Sequence, residues 1–229
     1  MTKFRYKYFT KTLENLCQED ITFKLGGQEI IFNAPLDEVN TSKDLISGVN
    51  GTVTSGTFDT TTHSVSGSAV RYNGIVRWDL NGQAFPTKVQ TAYDNGKTIY
   101  FQWEMYCQTT SYYATPFTIG TYASTNNSTR FLTGEGQTVD PRPSSSANIN
   151  YISPNTWVQV TFKVDMSNGN GTGRVEIMTS ERPQFVLYST AWQINCTATI
   201  IRYVNIFGKC WSGGGTWTGK MRNVLIWTE

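Results

Sequence analysis

Apolar and polar residues alternate along two long stretches of the chain. In residues 98–108 one side of the alternation is apolar, with Ile99, Phe101, Trp103, Met105 and Cys107. In residues 157–166 the apolar side consists of Val158, Val160, Phe162, Val164 and Met166. A period of two residues is typical of a strand with one buried and one exposed face. Both stretches are therefore predicted strands. The Gly- and Asn-rich segment 167–173 predicts a hairpin that leads into a further strand at 174–178.

Shorter strands are predicted over much of the remaining chain, at residues 29–32, 68–72, 75–79, 116–122, 129–133, 185–188, 199–206 and 222–227. Clusters of Gly, Asn, Ser and Pro separate them, which is typical of a β-sandwich. The last strand is apolar on both sides and is therefore expected at the centre of its sheet. The pattern also predicts a short helix at 11–19 and an exposed loop at 137–150.

Segments near both ends of the chain carry a family resemblance. They are Asn-Ala-Pro-Leu-Asp at 33–37, Lys-Asp-Leu-Ile-Ser-Gly-Val-Asn-Gly at 43–51, the strand from Trp157 to Asp165, and Gly-Lys-Met-Arg-Asn-Val-Leu-Ile-Trp at 219–227. In their order and spacing they resemble the laminin-G-like, concanavalin-A-like jelly-roll family. The resemblance implies an all-β, two-sheet antiparallel jelly-roll sandwich over residues 28–229, preceded by an N-terminal arm or edge element at 1–27. It also implies antiparallel pairing of the strand at 29–32 with the strand at 222–227.

Composition narrows the classes of function. A chain of 229 residues is ordinary for one sandwich, and a net charge of +2 is too small to indicate nucleic acid or a membrane as partner. No apolar run approaches the ~20 residues that span a bilayer. Residues 1–9 lack the apolar segment of a secretory signal peptide, so synthesis in a cytoplasm without general secretion is expected.

Cysteine and histidine offer few metal ligands. None of Cys17, Cys107, Cys196 and Cys210 belongs to a C-x-x-C pair, so a zinc site is not expected. A bridge between Cys196 and Cys210 is left open. With His63 as the only histidine, a histidine-based metal or acid–base cluster is excluded.

Catalytic carboxylates are not recognisable. Glycosidases of the resembled family place two carboxylates on one strand face, about 5–5.5 Å apart, through E-x-D-x-E patterns. This sequence has no such pattern, and Glu104 is the only acid on the outward side of its strand. Residues 212–217 resemble the Asp box of sialidases, but the Asp is missing, so they are interpreted as a turn. We therefore predict that the protein is not an enzyme.

Sugar binding has a better candidate set on the outward side of the strand at 98–108. Sugars need aromatic planes together with amide and carboxylate hydrogen bonds. The candidates are Tyr100, Gln102, Glu104 and Tyr106, with Tyr112 and Tyr113 on the following loop. The alternative is that these side chains pack against neighbouring strands or a partner chain.

Calcium is the one cofactor that the sequence suggests. The resemblance implies a Ca²⁺ site built from a carboxylate and backbone carbonyls, since a hard cation needs several oxygens. The candidates are Asp37, Asp44 and Asp59. The alternative is that these residues cap turns.

The N-terminal segment alternates basic and aromatic residues: Lys3, Phe4, Arg5, Tyr6, Lys7, Tyr8 and Phe9. It is predicted to pack on another chain, with a charged edge strand as the alternative. With the composition, this favours a virion structural or adhesion module of a bacteriophage, such as a capsid decoration, head fibre or tail-associated protein, that also binds glycans. Its expected partners are other virion proteins or its own copies. The alternatives are a secreted or cell-surface carbohydrate-binding domain, located extracellularly, and a glycosidase or lyase with an unrecognised site.

Overall fold

A computed structural model gives the structure of the chain. It describes residues 24–25, 28–36, 42–68, 70–71, 75–110, 114–120, 128–134, 138–142, 153–167, 172–193, 201–206, 208–209 and 217–229. The N-terminal segment from Lys3 to Phe9, the predicted helix at 11–19 and the turn at 212–216 lie outside these residues.

The described residues form mainly strands. They are β1 (Lys24–Leu25), β2 (Gln28–Ala34), β3 (Thr52–Val53), β4 (Thr57–Asp59), β5 (Ser64–Ser68), β6 (Val70–Arg71), β7 (Val76–Asp79), helix α1 (Ala84–Asp94), β8 (Thr98–Thr110), β9 (Ala114–Gly120), β10 (Ser128–Gly134), β11 (Thr138–Arg142), β12 (Trp157–Asp165), β13 (Thr172–Thr179), β14 (Val186–Gln193), β15 (Tyr203–Ile206), β16 (Gly208–Lys209) and β17 (Trp217–Thr228). No helix among them is both long and apolar enough to cross a membrane.

Two antiparallel sheets dominate the fold. The larger has nine strands, in the order β1-β2-β17-β8-β12-β13-β14, with β5 paired to β17 and β4 to β5. The smaller has six, in the order β11-β10-β9-β15-β7-β3. A short parallel pair, β6 and β16, stands apart from both. The predicted two-sheet antiparallel sandwich of jelly-roll type is confirmed.

The two ends of the described chain meet in the larger sheet. Strand β17 pairs antiparallel with β2, with Ile226 opposite Phe32 and Val224 opposite Ala34. Its other edge pairs with β8. The predicted pairing of first and last strands, and the central place of the last one, are confirmed.

The core lies between the sheets and is rich in aromatic rings. Trp103 of the larger sheet stacks on Phe117 of the smaller, with ring centroids 4.9 Å apart. Phe32 meets the edge of Trp78 at 5.2 Å across the same space. The predicted apolar sides of 98–108 and 157–166 are buried throughout. Burial of this continuous apolar surface is the main force that holds the sandwich together.

The structure differs from the sequence-based prediction at two places. The predicted loop at 137–150 contains strand β11, which among the described residues pairs only with β10 and so stands at an edge of the smaller sheet. Pro141 is compatible with this place, because prolines within sheets are found mainly on edge strands. Helix α1 was not predicted. Its buried residues Phe85, Val89 and Ala92 have helical spacing, and the helix packs on β2 and β8.

Candidate functional site

The face of the nine-stranded sheet that points away from the core, here called the outer face, gathers most of the predicted ligand-binding residues. Alternation along β8 places Tyr100, Gln102, Glu104 and Tyr106 on it. Pairing with β12 sets Tyr106 opposite Trp157. Pairing with β17 sets Glu104 opposite Arg222. Side chains far apart in sequence therefore become neighbours across three central strands.

A β-bulge in β17 adds a second side chain beside Glu104. The register between β17 and β8 shifts between Arg222 and Leu225. Asn223 takes a left-handed backbone conformation with φ 53, and its N–H donates to the Pro35 carbonyl at 2.8 Å. Asparagine tolerates this conformation better than most residues. The bulge lets two consecutive residues, Arg222 and Asn223, reach the same carboxylate.

Glu104 is held by both of these residues. Arg222 Nε donates to Glu104 Oε2 at 2.8 Å, and Asn223 Nδ2 donates to Glu104 Oε1 at 3.0 Å. The Arg222 guanidinium also donates through Nη1 to the Thr62 carbonyl at 2.8 Å. Charge-assisted hydrogen bonds of this kind are stronger than neutral ones. The carboxylate is therefore fixed in position on a surface that remains partly open to water.

Two aromatic rings lie beside this carboxylate. The Arg222 guanidinium carbon lies over the Trp157 ring, 4.2 Å from its centroid. The Tyr106 ring lies 5.8 Å from the Trp157 ring, at an angle of 55°. Trp157, Tyr106, Glu104, Arg222 and Asn223 are all half-buried. We call these five residues the Glu104 cluster.

Left-handed backbone conformations border the Glu104 cluster. Among the described non-glycine residues they occur at Leu36, His63, Asn155 and Asn223. Asn223 belongs to the cluster, His63 follows Thr62, and Asn155 precedes Trp157 by two residues. Such conformations persist only where the surrounding structure fixes them, and they are frequent at functional sites.

A neighbouring ion pair ties the loop before β5 to the same strand. Lys220 Nζ donates to Asp59 Oδ2 at 2.6 Å. This hydrogen bond, with others from Thr62 and Thr61, holds the pKa of the Asp59 carboxyl well below its usual range. The loop thereby presents the Thr62 carbonyl to Arg222.

The other end of the outer face carries a second aromatic group. Tyr100 stacks on Trp227 with centroids 4.8 Å apart, and its hydroxyl donates to Glu229 Oε2 at 2.7 Å. Burial, together with the Glu229 carboxylate, raises the pKa of the Tyr100 hydroxyl. Phe185, 39% exposed, lies 6.4 Å from the Tyr100 ring.

Glu176 joins two cations on this face. Lys163 and Arg174 each place a nitrogen 2.8 Å from a Glu176 oxygen. The Lys163 hydrogen bond is the main reason that the pKa of Glu176 lies below its usual value of 4.5. Because the folded-state pKa is the lower one, the stabilisation is present above the unfolded pKa and is lost as pH falls.

We therefore expect stability to fall on acidification, and Glu176→Gln to flatten that dependence. The difference in stability between wild type and Glu176→Gln should change as pH drops below 4.5, the ordinary pKa of a Glu side chain. Thermal melts of both proteins between about pH 7 and pH 3 measure it. Asp59 and Asp165, whose pKa values are also lowered, leave a residual slope in the variant. Identical pH profiles for the two proteins would contradict the role of this ion-pair group.

The predicted ligand-binding residues differ in accessibility. Tyr100, Glu104 and Tyr106 are half-buried on the outer face. Gln102 is only 6% exposed, and its side-chain oxygen accepts the Thr161 hydroxyl at 3.3 Å. Tyr112 and Tyr113 lie outside the described residues.

The predicted calcium ligands have other roles where they are described. Asp44 is fully buried; its oxygens accept the N–H groups of Asn33, Ile46 and Ser47 at 2.8, 3.2 and 3.1 Å. Burial raises its pKa. Asp59 pairs with Lys220, and Asp37 lies outside the described residues. No group of three acidic, histidine or cysteine side chains in the described part of the chain is placed to hold a metal. Calcium stays a prediction.

Three members of the Glu104 cluster were missed in the sequence. Trp157 was not among the predicted ligand-binding residues, although it begins a strand whose buried positions start at Val158. Arg222 and Asn223 stand between Met221 and Val224, both of which face the core. Two residues between consecutive core residues break the period of two and indicate a bulge. That break was the available signal.

Comparisons with known proteins concern the fold. No protein-family model matches the chain, and no curated protein matches it in sequence. The Trypanosoma rangeli sialidase in complex with sialic acid matches with TM-score 0.56 and 11% identity, over 86% of this chain and 30% of that one. A mutant of that sialidase displaying trans-sialidase activity gives 0.57 and 12% over the same shares. An alginate lyase from a Chlorella virus covers 85% of this chain and 90% of its own at 11% identity, but its TM-score of 0.39 is too low to establish a shared fold.

The chain thus spans less than a third of the sialidases that it matches, and it shares the fold of one portion of them. This finding corrects two predictions. The prediction of a non-enzymatic virion or adhesion module is wrong, because the two sialidase structures described above, which share the fold, are glycan-processing enzymes. The prediction that the protein is not an enzyme is wrong on the same finding. A missing E-x-D-x-E pattern excludes only paired carboxylates on one strand, and the Glu104 cluster itself contains a single carboxylate. The carbohydrate-binding alternative is better supported.

Proposed function

We propose that this chain is a glycan-binding domain whose ligand lies on the outer face, over the Glu104 cluster. The observation that carries the proposal is the Glu104 carboxylate, fixed by Arg222 and Asn223 beside the half-buried rings of Trp157 and Tyr106. Sugar hydroxyls both donate and accept hydrogen bonds, so they suit a site that offers both kinds of group. Aromatic rings complement the apolar C–H faces of a sugar ring.

The rigidity of the Glu104 cluster supports binding. Its polar groups already hold one another at 2.8–3.0 Å, so little side-chain freedom is lost when a ligand arrives. Each carboxylate oxygen and the Asn223 carbonyl oxygen keep lone pairs for further donors.

The shared fold supports a setting for this domain. We infer that it serves a glycan-processing protein, since the matched sialidases are larger enzymes of which it resembles one portion. We also propose that the domain belongs to the laminin-G-like, concanavalin-A-like family. The antiparallel pairing of β2 with β17, which closes the sandwich, supports this assignment.

Trp157→Ala is the first test. Removing the ring deletes an aromatic surface for the sugar and one of the contacts that hold the Arg222 guanidinium, so affinity for a bound oligosaccharide should fall about tenfold or more. Isothermal titration against the strongest ligand from a glycan array measures it. Val53→Ala removes an exposed apolar side chain from the other sheet and should leave affinity unchanged. If Trp157→Ala and wild type bound the oligosaccharide with equal affinity, the ligand would not lie over the Glu104 cluster.

A second candidate function is glycan cleavage at the same face, favoured by the enzymatic nature of the matched sialidases. Glu104 is the carboxylate that would transfer the proton. Release of reducing ends from a panel of neutral glycans, sialosides and alginate measures it, with Glu104→Gln as the inactive variant. Turnover unaffected by Glu104→Gln would exclude this residue as the catalyst.

A further inference from the structure

We infer that the outer face selects neutral glycans and rejects acidic ones, and that Glu104 sets this selectivity by occupying Arg222. The inference rests on the proposed function, because it concerns what the glycan site accepts. It follows from how the charges of the described outer face are paired.

Every described cation on this face already has a carboxylate partner. Arg222 pairs with Glu104, and Lys220 pairs with Asp59. Lys163 and Arg174 share Glu176. Asp165 and Glu229 add further carboxylates, so negative groups outnumber positive ones among these residues. A ligand carboxylate therefore finds no unoccupied ammonium or guanidinium on this part of the sheet.

An acidic sugar would have to compete with a carboxylate that is already in place. The side chains of Arg222 and Glu104 are 29% and 23% exposed, so water screens their attraction only in part. Displacing Glu104 would leave two carboxylates close together, and like charges at short range repel. A neutral sugar avoids this cost because its hydroxyls add hydrogen bonds without breaking the pair.

The remaining contacts make the pair rigid. Asn223 Nδ2 holds the second Glu104 oxygen, while the Thr62 carbonyl and the Trp157 ring hold the guanidinium. Glu104 cannot swing aside without giving up two hydrogen bonds. This makes Glu104 a specificity-determining residue of the site.

Paired ligands test the inference. An array carries neutral oligosaccharides, each beside the uronic acid analogue that differs only in a carboxylate at C6. The wild-type chain should bind neutral members and bind their acidic analogues at least about tenfold more weakly. Glu104→Gln keeps the side-chain shape and an acceptor for Arg222 but removes the charge. It should therefore shift the ratio of the affinities for the neutral and acidic members of each pair about tenfold towards the acidic member. The increased affinity of Glu104→Gln for the acidic ligand should become smaller when salt is added, because salt screens charges.

Three controls separate the outcomes. Glu29→Gln frees Lys88 from a pair on helix α1 and should leave the ratio unchanged. Adding Arg222→Met to Glu104→Gln should abolish the gain, and thermal melts confirm that each variant is folded. Equal or tighter wild-type binding of acidic analogues, or an unchanged ratio in Glu104→Gln, would overturn the inference while leaving glycan binding intact. Binding of neither class would instead refute the proposed function, and the inference with it.

Discussion

Replacing Trp103 with alanine is expected to lower the free energy of unfolding by about 3–5 kcal/mol. Trp103 is fully buried and stacks between the sheets, 4.9 Å from Phe117 and 5.6 Å from Phe162. Its indole N–H points at the Met105 sulfur, 3.4 Å away. Alanine leaves a cavity at the centre of the sandwich that the surrounding strands cannot fill, since a closely packed core collapses only partly.

Urea unfolding measures this loss, and Trp157→Ala is the matched control. Both variants remove the same side chain from neighbouring strands, one from the core and one from the outer face. Trp157→Ala should cost far less stability but lose glycan affinity, while Trp103→Ala should lose stability and, while folded, keep its affinity. A Trp103→Ala chain as stable as Trp157→Ala would show that the two sheets do not pack as described.

Asp44→Ala should also be severely destabilising, by about 2–4 kcal/mol. Asp44 is fully buried and accepts hydrogen bonds from three backbone N–H groups and from the Ser47 hydroxyl. One of these donors, Asn33, belongs to β2, the strand that β17 closes against. Removing the carboxylate leaves buried donors without acceptors, and each such loss costs free energy.

Urea unfolding of wild type and Asp44→Ala, measured once with EDTA and once with calcium, distinguishes a hydrogen-bonding role of Asp44 from a calcium-binding one. If Asp44 acts only as a hydrogen-bond acceptor and binds no calcium, Asp44→Ala lowers the free energy of unfolding equally in both solutions. Asp44→Asn, which keeps one oxygen acceptor, should recover part of the loss. A wild-type chain that gains stability with calcium, together with an Asp44→Ala chain that does not, would instead support the calcium prediction.

Much of the fold could be predicted from the sequence because strand periodicity is local. The alternation in 98–108 and 157–166 fixed which side chains face the core, and the apolar character of 222–227 on both sides indicated a central strand. Helix α1 was missed although Phe85, Val89 and Ala92 have helical spacing, because the surrounding chain is dominated by strand signals. Strand β11 was missed because Pro141 indicates a loop unless the strand is known to lie at an edge.

The candidate site was predicted only in part. Alternation placed Tyr100, Glu104 and Tyr106 on one face, as observed. Alternation did not reveal that Gln102 is buried on this face. The burial of an outward-pointing residue depends on whether neighbouring side chains cover it, and this is not visible in the local sequence. The period of two also gave no account of Asn223, whose left-handed conformation changes the register of β17.

The sequence by itself determined the all-β class, the core faces of the long strands, and, through the family resemblance, the pairing of the chain's two ends. Only the tertiary structure decided which polar side chains meet. Glu104 and Arg222 stand 118 positions apart, and Arg222 and Thr62 stand 160 apart. The physical reason is that strand register and a single bulge set these contacts, and both result from packing of the whole sheet and not from any local pattern.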